Sequence, residues 1–179
     1  GGKGNDYLQG GYGSDTYIFS RGDGQDIIYD DGESSSVKDK ITFKDINRED
    51  VIFSRENGSD ISILIRGSKD KITIQYGHHE RHRIEEIHFA NGEVMTYEEM
   101  MKQTFEYYGD EQDNIINTYS TDDKIDAGAG DDKIDAGHGN NIVYGGEGND
   151  EIKSESGNDI LEGGKGNDYL QGGYGSDTY

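Results

Sequence analysis

Seven positions spaced nine residues apart constrain this chain more than any other feature: Asp123, Asp132, Asn141, Asp150, Asp159, Asp168 and Asp177. Two places after each stands an apolar residue or tyrosine: Ile125, Ile134, Val143, Ile152, Leu161, Leu170 and Tyr179. The fullest units read GGEGNDEIK (145–153) and GGKGNDYLQ (163–171), and GGKGNDYLQ (1–9) and GGYGSDTYI (10–18) hold the same frame at the front. AGAGDDKID (127–135), AGHGNNIVY (136–144) and SESGNDILE (154–162) are looser. YGDEQDNII (108–116) and TYSTDDKID (118–126) retain only the aspartate and the apolar position, so the array frays toward residue 108. A glycine-rich solvated linker needs neither a fixed period nor a phased apolar residue.

The letters of the unit dictate its local structure. Glycines at positions 1, 2 and 4 permit positive φ and a tight turn with exposed carbonyls, and the sixth residue adds a carboxylate. Three residues of strand follow, and the middle one points inward because alternate strand residues face opposite ways. Two units make a coil of about eighteen residues, set by that turn-and-strand alternation. Turns one coil apart then stack and bring carbonyls and carboxylates to a common ion. Six or more hard oxygens in a flexible arrangement suit calcium.

Composition agrees. The 179 residues include 38 acidic and 17 basic side chains, a net charge of -21, which excludes a nucleic-acid binder. Only 33 residues are Ile, Leu, Val or Phe, a composition that struggles to collapse alone, so order depends on something added. The repeat segments 1–24 and 109–179 hold 20 acidic against 6 basic residues, concentrating repulsion where ions relieve it. With no cysteine there is neither a disulfide scaffold nor a thiolate zinc site. No apolar run approaches the ~20 residues of a membrane span, and residues 1–20 lack the marks of a signal peptide. Residues 1–17 recur letter for letter as 163–179, an offset of 162, as expected for one period of a longer tandem array.

The pattern GGxGxDxUx resembles the repeats-in-toxin (RTX), haemolysin-type calcium-binding repeats. The resemblance covers residues 1–26 and about 108–179. It implies an all-β fold: a parallel β-roll of nonapeptide repeats interrupted by a β-rich accessory or capping domain with one short helix. It further implies Ca²⁺ ions between stacked turns, held by carbonyls of positions 1 and 3 and the aspartate of one turn, and by carbonyls of positions 2 and 4 and the aspartate of the next. On this basis Asp132 pairs with Asp150, using carbonyls of Ala127, Ala129, Gly146 and Gly148. Asp150 pairs with Asp168 through Gly145, Glu147, Gly164 and Gly166. Asp159 pairs with Asp177 through Ser154, Ser156, Gly173 and Gly175. Asn141 has lost a charge, so sites joining it to Asp123 or Asp159 are expected to be weaker or empty. At the front, Asp6 with Gly1 and Lys3 is expected to face Asp26 with Gly22 and Gly24, at a spacing of twenty rather than eighteen. Asp15, at position six of the second unit, is a further candidate.

The middle stretch, 27–107, is not repetitive. Alternation predicts strands near 26–29, 40–43, 51–55, 60–66, 71–75, 84–90 and 93–95. Asn57-Gly58 and Asn91-Gly92 read as tight hairpin turns. Thr96 with Glu99 forms a capping box opening a short helix over about 97–105, with Tyr97, Met100, Met101 and Phe105 as its apolar residues. Asp39, Ile41 and Phe43, then Phe89, Asn91 and Gly92, are similar to the family's accessory segment. A cap without chemistry of its own is the expected role, since repeat stacks need ends. His78, His79 and His82 cluster in GHHERHR, but the segment does not look helical and no third ligand is spaced to join them, so an exposed loop is expected. His88 and His138 read as surface residues. No G-x-S-x-G occurs, Ser14 and Ser176 belong to repeat turns, and no enzyme is expected.

The expected function is a calcium-dependent folding module of a secreted RTX protein, exported unfolded by type I secretion, with a structural or adhesion role in a tandem array. Its partners are calcium ions and adjacent repeat units of the same chain; a host-surface ligand is unknown and nucleic acid and membrane spans are excluded. The alternative is the tail of a secreted protease or lipase. Among RTX groups, the long iron-regulated exoproteins of the Frp type are one it resembles.

Overall fold

An eighteen-residue offset is the hydrogen-bond register of the repeats. The computed structural model describes residues 1–31, 38–56 and 59–179, and the chain divides into two units, Gly1–Met101 and Lys102–Tyr179. Nearly all regular structure is strand. Among the described residues no helix is long and apolar enough to cross a membrane.

In the first unit, β1 (Tyr7–Gln9), β2 (Thr16–Phe19) and β3 (Gln25–Tyr29) are followed by β4 (Lys40–Phe43), β5 (Val51–Glu56), β6 (Asp60–Ile65), β7 (Lys71–Ile74), β8 (Glu86–His88) and β9 (Val94–Thr96). They form two sheets, ordered β1-β3-β7-β6-β5 and β2-β4-β8-β9. Strands β1, β3 and β7, like β2, β4 and β8, run parallel, so the roll continues into the accessory segment before turning antiparallel at β7–β6–β5 and β8–β9. Between the sheets lie Phe19, Ile28, Ile41, Phe43, Phe53, Ile61, Ile63 and Ile74, each at most 2 % exposed. This is the larger apolar core of the molecule, and it comes from the non-repetitive letters.

The hairpin turn expected at Asn57-Gly58 lies outside the described residues. Asn91-Gly92 does turn the chain between β8 and β9. The loop is longer than two residues, because Phe89 N–H donates to Glu93 O at 2.9 Å and Gly92 takes the left-handed conformation (φ +87°) that such three-residue loops place last. The Thr96–Glu99 capping box is present, with Glu99 N–H donating to Thr96 Oγ1 (3.2 Å) and Thr96 N–H to Glu99 Oε2 (2.8 Å). The helix it opens, α1 (Tyr97–Met100), is shorter than the expected 97–105. Phe105 instead starts a strand of the second unit, where its fully buried ring supplies core to a roll short of apolar residues.

The second unit holds β10 (Phe105–Tyr108), β11 (Ile115–Asn117), β12 (Asp123–Asp126), β13 (Lys133–Asp135), β14 (Ile142–Glu147), β15 (Glu151–Lys153), β16 (Ile160–Lys165) and β17 (Tyr169–Gln171). Even-numbered strands make one parallel sheet and odd-numbered strands the other. Ile125, Val143 and Leu161 stack in one inward column, and Ile134, Ile152 and Leu170 in the opposite one. The frayed units keep the coil. For residues 108–116 the frame moves by one: Ile116 aligns with Ile134, Asn114 takes position six, and Ile115 is 76 % exposed. Two adjacent isoleucines satisfy the pattern in either frame, and the register to β13 chooses between them.

Tyr119 occupies a turn position held by glycine in the fuller units, and its φ is +79°. An L-residue there costs about 1–2 kcal/mol. Tyr119→Gly is therefore expected to stabilise the folded chain by about 1 kcal/mol in denaturant unfolding at saturating calcium, with no change in the number of ions bound.

Candidate metal centres

The aspartate at position six is placed by its own backbone. It sits between a glycine turn and an inward-facing strand, and its Oδ1 accepts the backbone N–H of the residue one coil earlier. The bonds run Asn114→Asp132 (2.7 Å), Asp132→Asp150 (2.9 Å) and Asp150→Asp168 (3.0 Å) along one edge. On the other edge they run Asp123→Asn141 (3.1 Å), Asn141→Asp159 (2.8 Å) and Asp159→Asp177 (3.1 Å). At the front, Asp6 N–H donates to Asp26 Oδ1 (2.9 Å) across the twenty-residue spacing, and Asp15 N–H to Asp39 Oδ1 (2.7 Å).

At Asp26, Asp132, Asp150 and Asp159 one carboxylate oxygen is thus used, and the other is not. Oδ2 of Asp6, Asp15, Asp26, Asp132, Asp150 and Asp159 is buried with no hydrogen-bond partner. A buried carboxylate oxygen without a donor is expensive unless a cation meets it. These oxygens lie against glycine: a side chain at Gly145, Gly163 or Gly172 would collide with Oδ2 of Asp150, Asp168 or Asp177. At positions 2 and 4, Gly146 (φ +113°) and Gly148 (φ +137°) pass so near the carbonyls of Gly128 and Gly130 that no Cβ fits. The available donors are carboxylate and carbonyl oxygens, with no nitrogen or sulfur, the set calcium takes.

Residues 1–28, 117–152 and 154–179 match the family model described as the RTX calcium-binding nonapeptide repeat, and residues 60–99 match the haemolysin-type calcium binding protein related domain. The chain belongs to the RTX, haemolysin-type calcium-binding family. It is 35 % identical over 113 residues to the plasmid hemolysin of Escherichia coli, covering 56 % of this chain and 10 % of that protein. It is 38 % identical over 97 residues to the iron-regulated protein FrpA of Neisseria meningitidis serogroup C, covering 50 % of this chain and 9 % of that protein. The chain thus spans about a tenth of the length of these curated relatives.

Within this RTX roll, the expected aspartate pairs are neighbours in the stack, but the carbonyl halves exchange. Carbonyls of positions 2 and 4 face the following coil: Gly128 O accepts Glu147 N–H (3.0 Å), and Gly146 and Gly148 carbonyls lie under Gly164 and Gly166. Carbonyls of positions 1 and 3 face the preceding coil: Ala127 O lies over Gly109, Gly163 O over Gly145, and Glu147 O accepts Gly130 N–H (2.8 Å). The Asp132–Asp150 gap is therefore faced by Gly128 and Gly130 with Gly145 and Glu147, not by Ala127, Ala129, Gly146 and Gly148. The Asp150–Asp168 gap is faced by Gly146 and Gly148 with Gly163 and Lys165, in place of Gly145, Glu147, Gly164 and Gly166. Around Asp159–Asp177, Glu155 O accepts Tyr174 N–H and Tyr174 O accepts Gly157 N–H, both at 2.9 Å, and the carbonyls of Glu155 and the expected Ser154 both lie against Gly173. At the front, Gly4 O lies against Gly24 and Asp23 O accepts Gly4 N–H (2.7 Å), while the expected Gly24 carbonyl accepts Lys71 N–H (3.0 Å). The amides of Gly22 and Gly24 donate instead to Asp70 (2.7 and 3.2 Å).

Asn141 fills its place in the stack with hydrogen bonds of its own. Its Nδ2 donates to Gly139 O and Ser154 Oγ, both at 3.2 Å, while Oδ1 accepts Asp123 N–H. The amide supplies, within the protein, the positive end that Oδ2 of a neighbouring aspartate lacks.

A second ladder went unread in the sequence. Position-five side chains accept backbone N–H from the next coil: Asp113←Asp131, Asp131←Asn149 and Asn149←Asn167 on one edge, Asp122←Asn140, Asn140←Asn158 and Asn158←Ser176 on the other. Its signal was the recurring Asn-Asp pair. His78 meets Arg55, His82 meets the Asp30 carbonyl, His79 and His82 both pack against the Tyr76 ring, and His138 meets Ser156 and Glu155.

Asn141→Asp is expected to raise the number of calcium ions bound at about 1 mM free calcium by at least one; an unchanged number in native mass spectrometry contradicts the reading of the amide as a cation substitute. Burial pushes the Asp132 and Asp150 carboxyls above their ordinary 3.8, opposed by the ladder N–H and reinforced by neighbouring carboxylates. A raised folded value means the folded chain binds the proton more tightly. Without a divalent cation, that stabilisation is full below the unfolded value and is lost as pH rises through the folded one. In cation-free buffer the melting temperature should rise on acidification from pH 7 toward 4.5, and in millimolar calcium, where protons compete with the ion, it should fall.

Proposed function

We propose that this module folds only when calcium binds between its turns, and that it is exported unfolded through a type I pathway and orders outside the cell. The observation that carries this reading is the column of buried, unpartnered Oδ2 atoms. An ion that binds only the native turns stabilises them by RT ln(1 + [Ca]/Kd). With Kd about 0.1 mM and extracellular calcium about 1–2 mM, each site contributes about 1.4–1.8 kcal/mol. Several sites together approach the stability of an ordinary domain. At sub-micromolar cytosolic calcium the same contribution is near zero. What then remains in the second unit is mutual carboxylate repulsion over a core one aliphatic side chain wide per strand.

The role is structural rather than catalytic in this reading, with the accessory strands closing one end of a roll. The recurrence of residues 1–17 as 163–179 supports tiling of a 162-residue unit along a longer extracellular rod. An enzyme tail is the alternative, and it would place a nucleophile or catalytic metal motif in sequence beyond these 179 residues.

Circular dichroism during a calcium titration tests the switch. The β signal should grow as free calcium passes through the 0.1–1 mM decade, as sized by the tight end of extracellular sites, and return to coil on adding EGTA. A β signal unchanged by EGTA would refute it.

A further inference from the structure

In the first unit, Asp15, Asp30 and Asp39 each bring one carboxylate oxygen within 4.8 Å of the other two. Asp15 precedes β2 and Asp39 precedes β4, and their ladder bond spans 24 residues instead of eighteen. Asp30 follows β3 directly. Counted from Asp26 at position six, Asp30 stands at position one of the next turn, where a full repeat has glycine. In the turn before, a side chain at the equivalent Gly10 would collide with the Tyr17 hydroxyl and lie 2.7 Å from Asp15 Oδ2. The chain has thus put a carboxylate at a position that the fuller units keep as glycine and the looser ones fill with nothing larger than Ala127, Ala136 or Ser154.

Asp30 is fully buried and Asp39 is 4 % exposed. The Tyr17 hydroxyl donates to Asp30 Oδ2 at 2.5 Å, which fixes the carboxylate and leaves Oδ1 without a partner, as is Oδ2 of Asp15. Of the surrounding charges, His82 opposes the rise of the Asp30 carboxyl, while Asp15 and Glu85 add to it. Glu85 accepts the Asp39 N–H (2.8 Å) and adds another negative group, itself held by Arg83 Nε at 3.3 Å. His82 meets the Asp30 backbone carbonyl, not its carboxylate. Among the described ion pairs, none engages these three aspartates. Burial, with the charges of Asp30, Glu85 and Asp15, pushes the Asp39 carboxyl up to about 6, and burial raises Asp30 as well.

We propose that Asp15, Asp30 and Asp39 form a side-chain calcium site where β2, β3 and β4 begin or end, with Tyr17 as the residue that positions Asp30. Calcium–oxygen bonds of 2.3–2.6 Å allow two ligands of one ion to stand up to about 5 Å apart, which accommodates the spacing. Three carboxylates give this site more negative charge than a gap between two repeat turns, so it fills at lower free calcium. It uses nothing from the second unit, and its loss leaves the repeat ladder in place.

Native mass spectrometry of the 179-residue chain over a range of free calcium tests it. Asp30→Asn should hold one ion fewer than the wild type, the missing ion being one that binds early in the titration; a folded Asp30→Asn chain that keeps the wild-type number overturns the site. Should that variant fail to fold, wild-type crystals grown in calcium decide. An anomalous peak bonded to Asp30 Oδ1 supports the site, and peaks between glycine turns with none at Asp30 overturn it while leaving the ladder reading intact.

Discussion

Stacked carboxylates are both what organises this molecule and what opposes it. In the second unit Asp132, Asp150 and Asp168 each use one oxygen to receive the N–H of the coil before, which fixes the register at eighteen residues and sets these carboxylates one under the next. At Asp132 and Asp150 the same alignment buries a second oxygen with nothing to meet it. Register and repulsion are therefore inseparable, and a divalent cation is the partner that keeps the first while cancelling the second.

The rest of the repeat architecture follows from leaving room for that partner. Glycine at position one is where a side chain would strike the carboxylate, and glycine at positions two and four is where one would strike the carbonyls of the neighbouring coil. Such a sequence has little left for a core, and the second unit stacks single aliphatic side chains in two columns. The first unit differs because non-repetitive strands add phenylalanines and isoleucines, so its apolar burial is larger. Asn141 marks the exception that explains the rule: with an amide in place of a carboxylate oxygen, the protein satisfies the turn with its own atoms.

Most of the roll was legible because its period is carried by residues whose chemistry has few alternatives. Glycine at positive φ, aspartate and an inward aliphatic residue fix turn, ligand and face together, and the capping box at Thr96 is equally explicit. What stayed hidden was decided by partners far along the chain. Ile115 and Ile116 fit the apolar position equally well until β13 selected Ile116. The helix ended early because Phe105 is drawn into a parallel ladder with Asp123. Carbonyl direction, which decides the halves facing each gap, depends on turn geometry that residue letters do not encode. Asp30 was invisible as a ligand because its meaning lies in replacing a glycine of a turn stretched to 24 residues between Asp15 and Asp39.

The central claim, that cations between coils supply the free energy of folding, is tested most directly by urea unfolding at a series of buffered free calcium concentrations. For every ion linked to folding, the unfolding free energy should rise by about 1.4 kcal/mol per tenfold increase in calcium above its dissociation constant. The account predicts a slope of several such increments, steeper for the wild type than for chains with position-six aspartates removed. A free energy of unfolding that is the same in chelator as in millimolar calcium would contradict it.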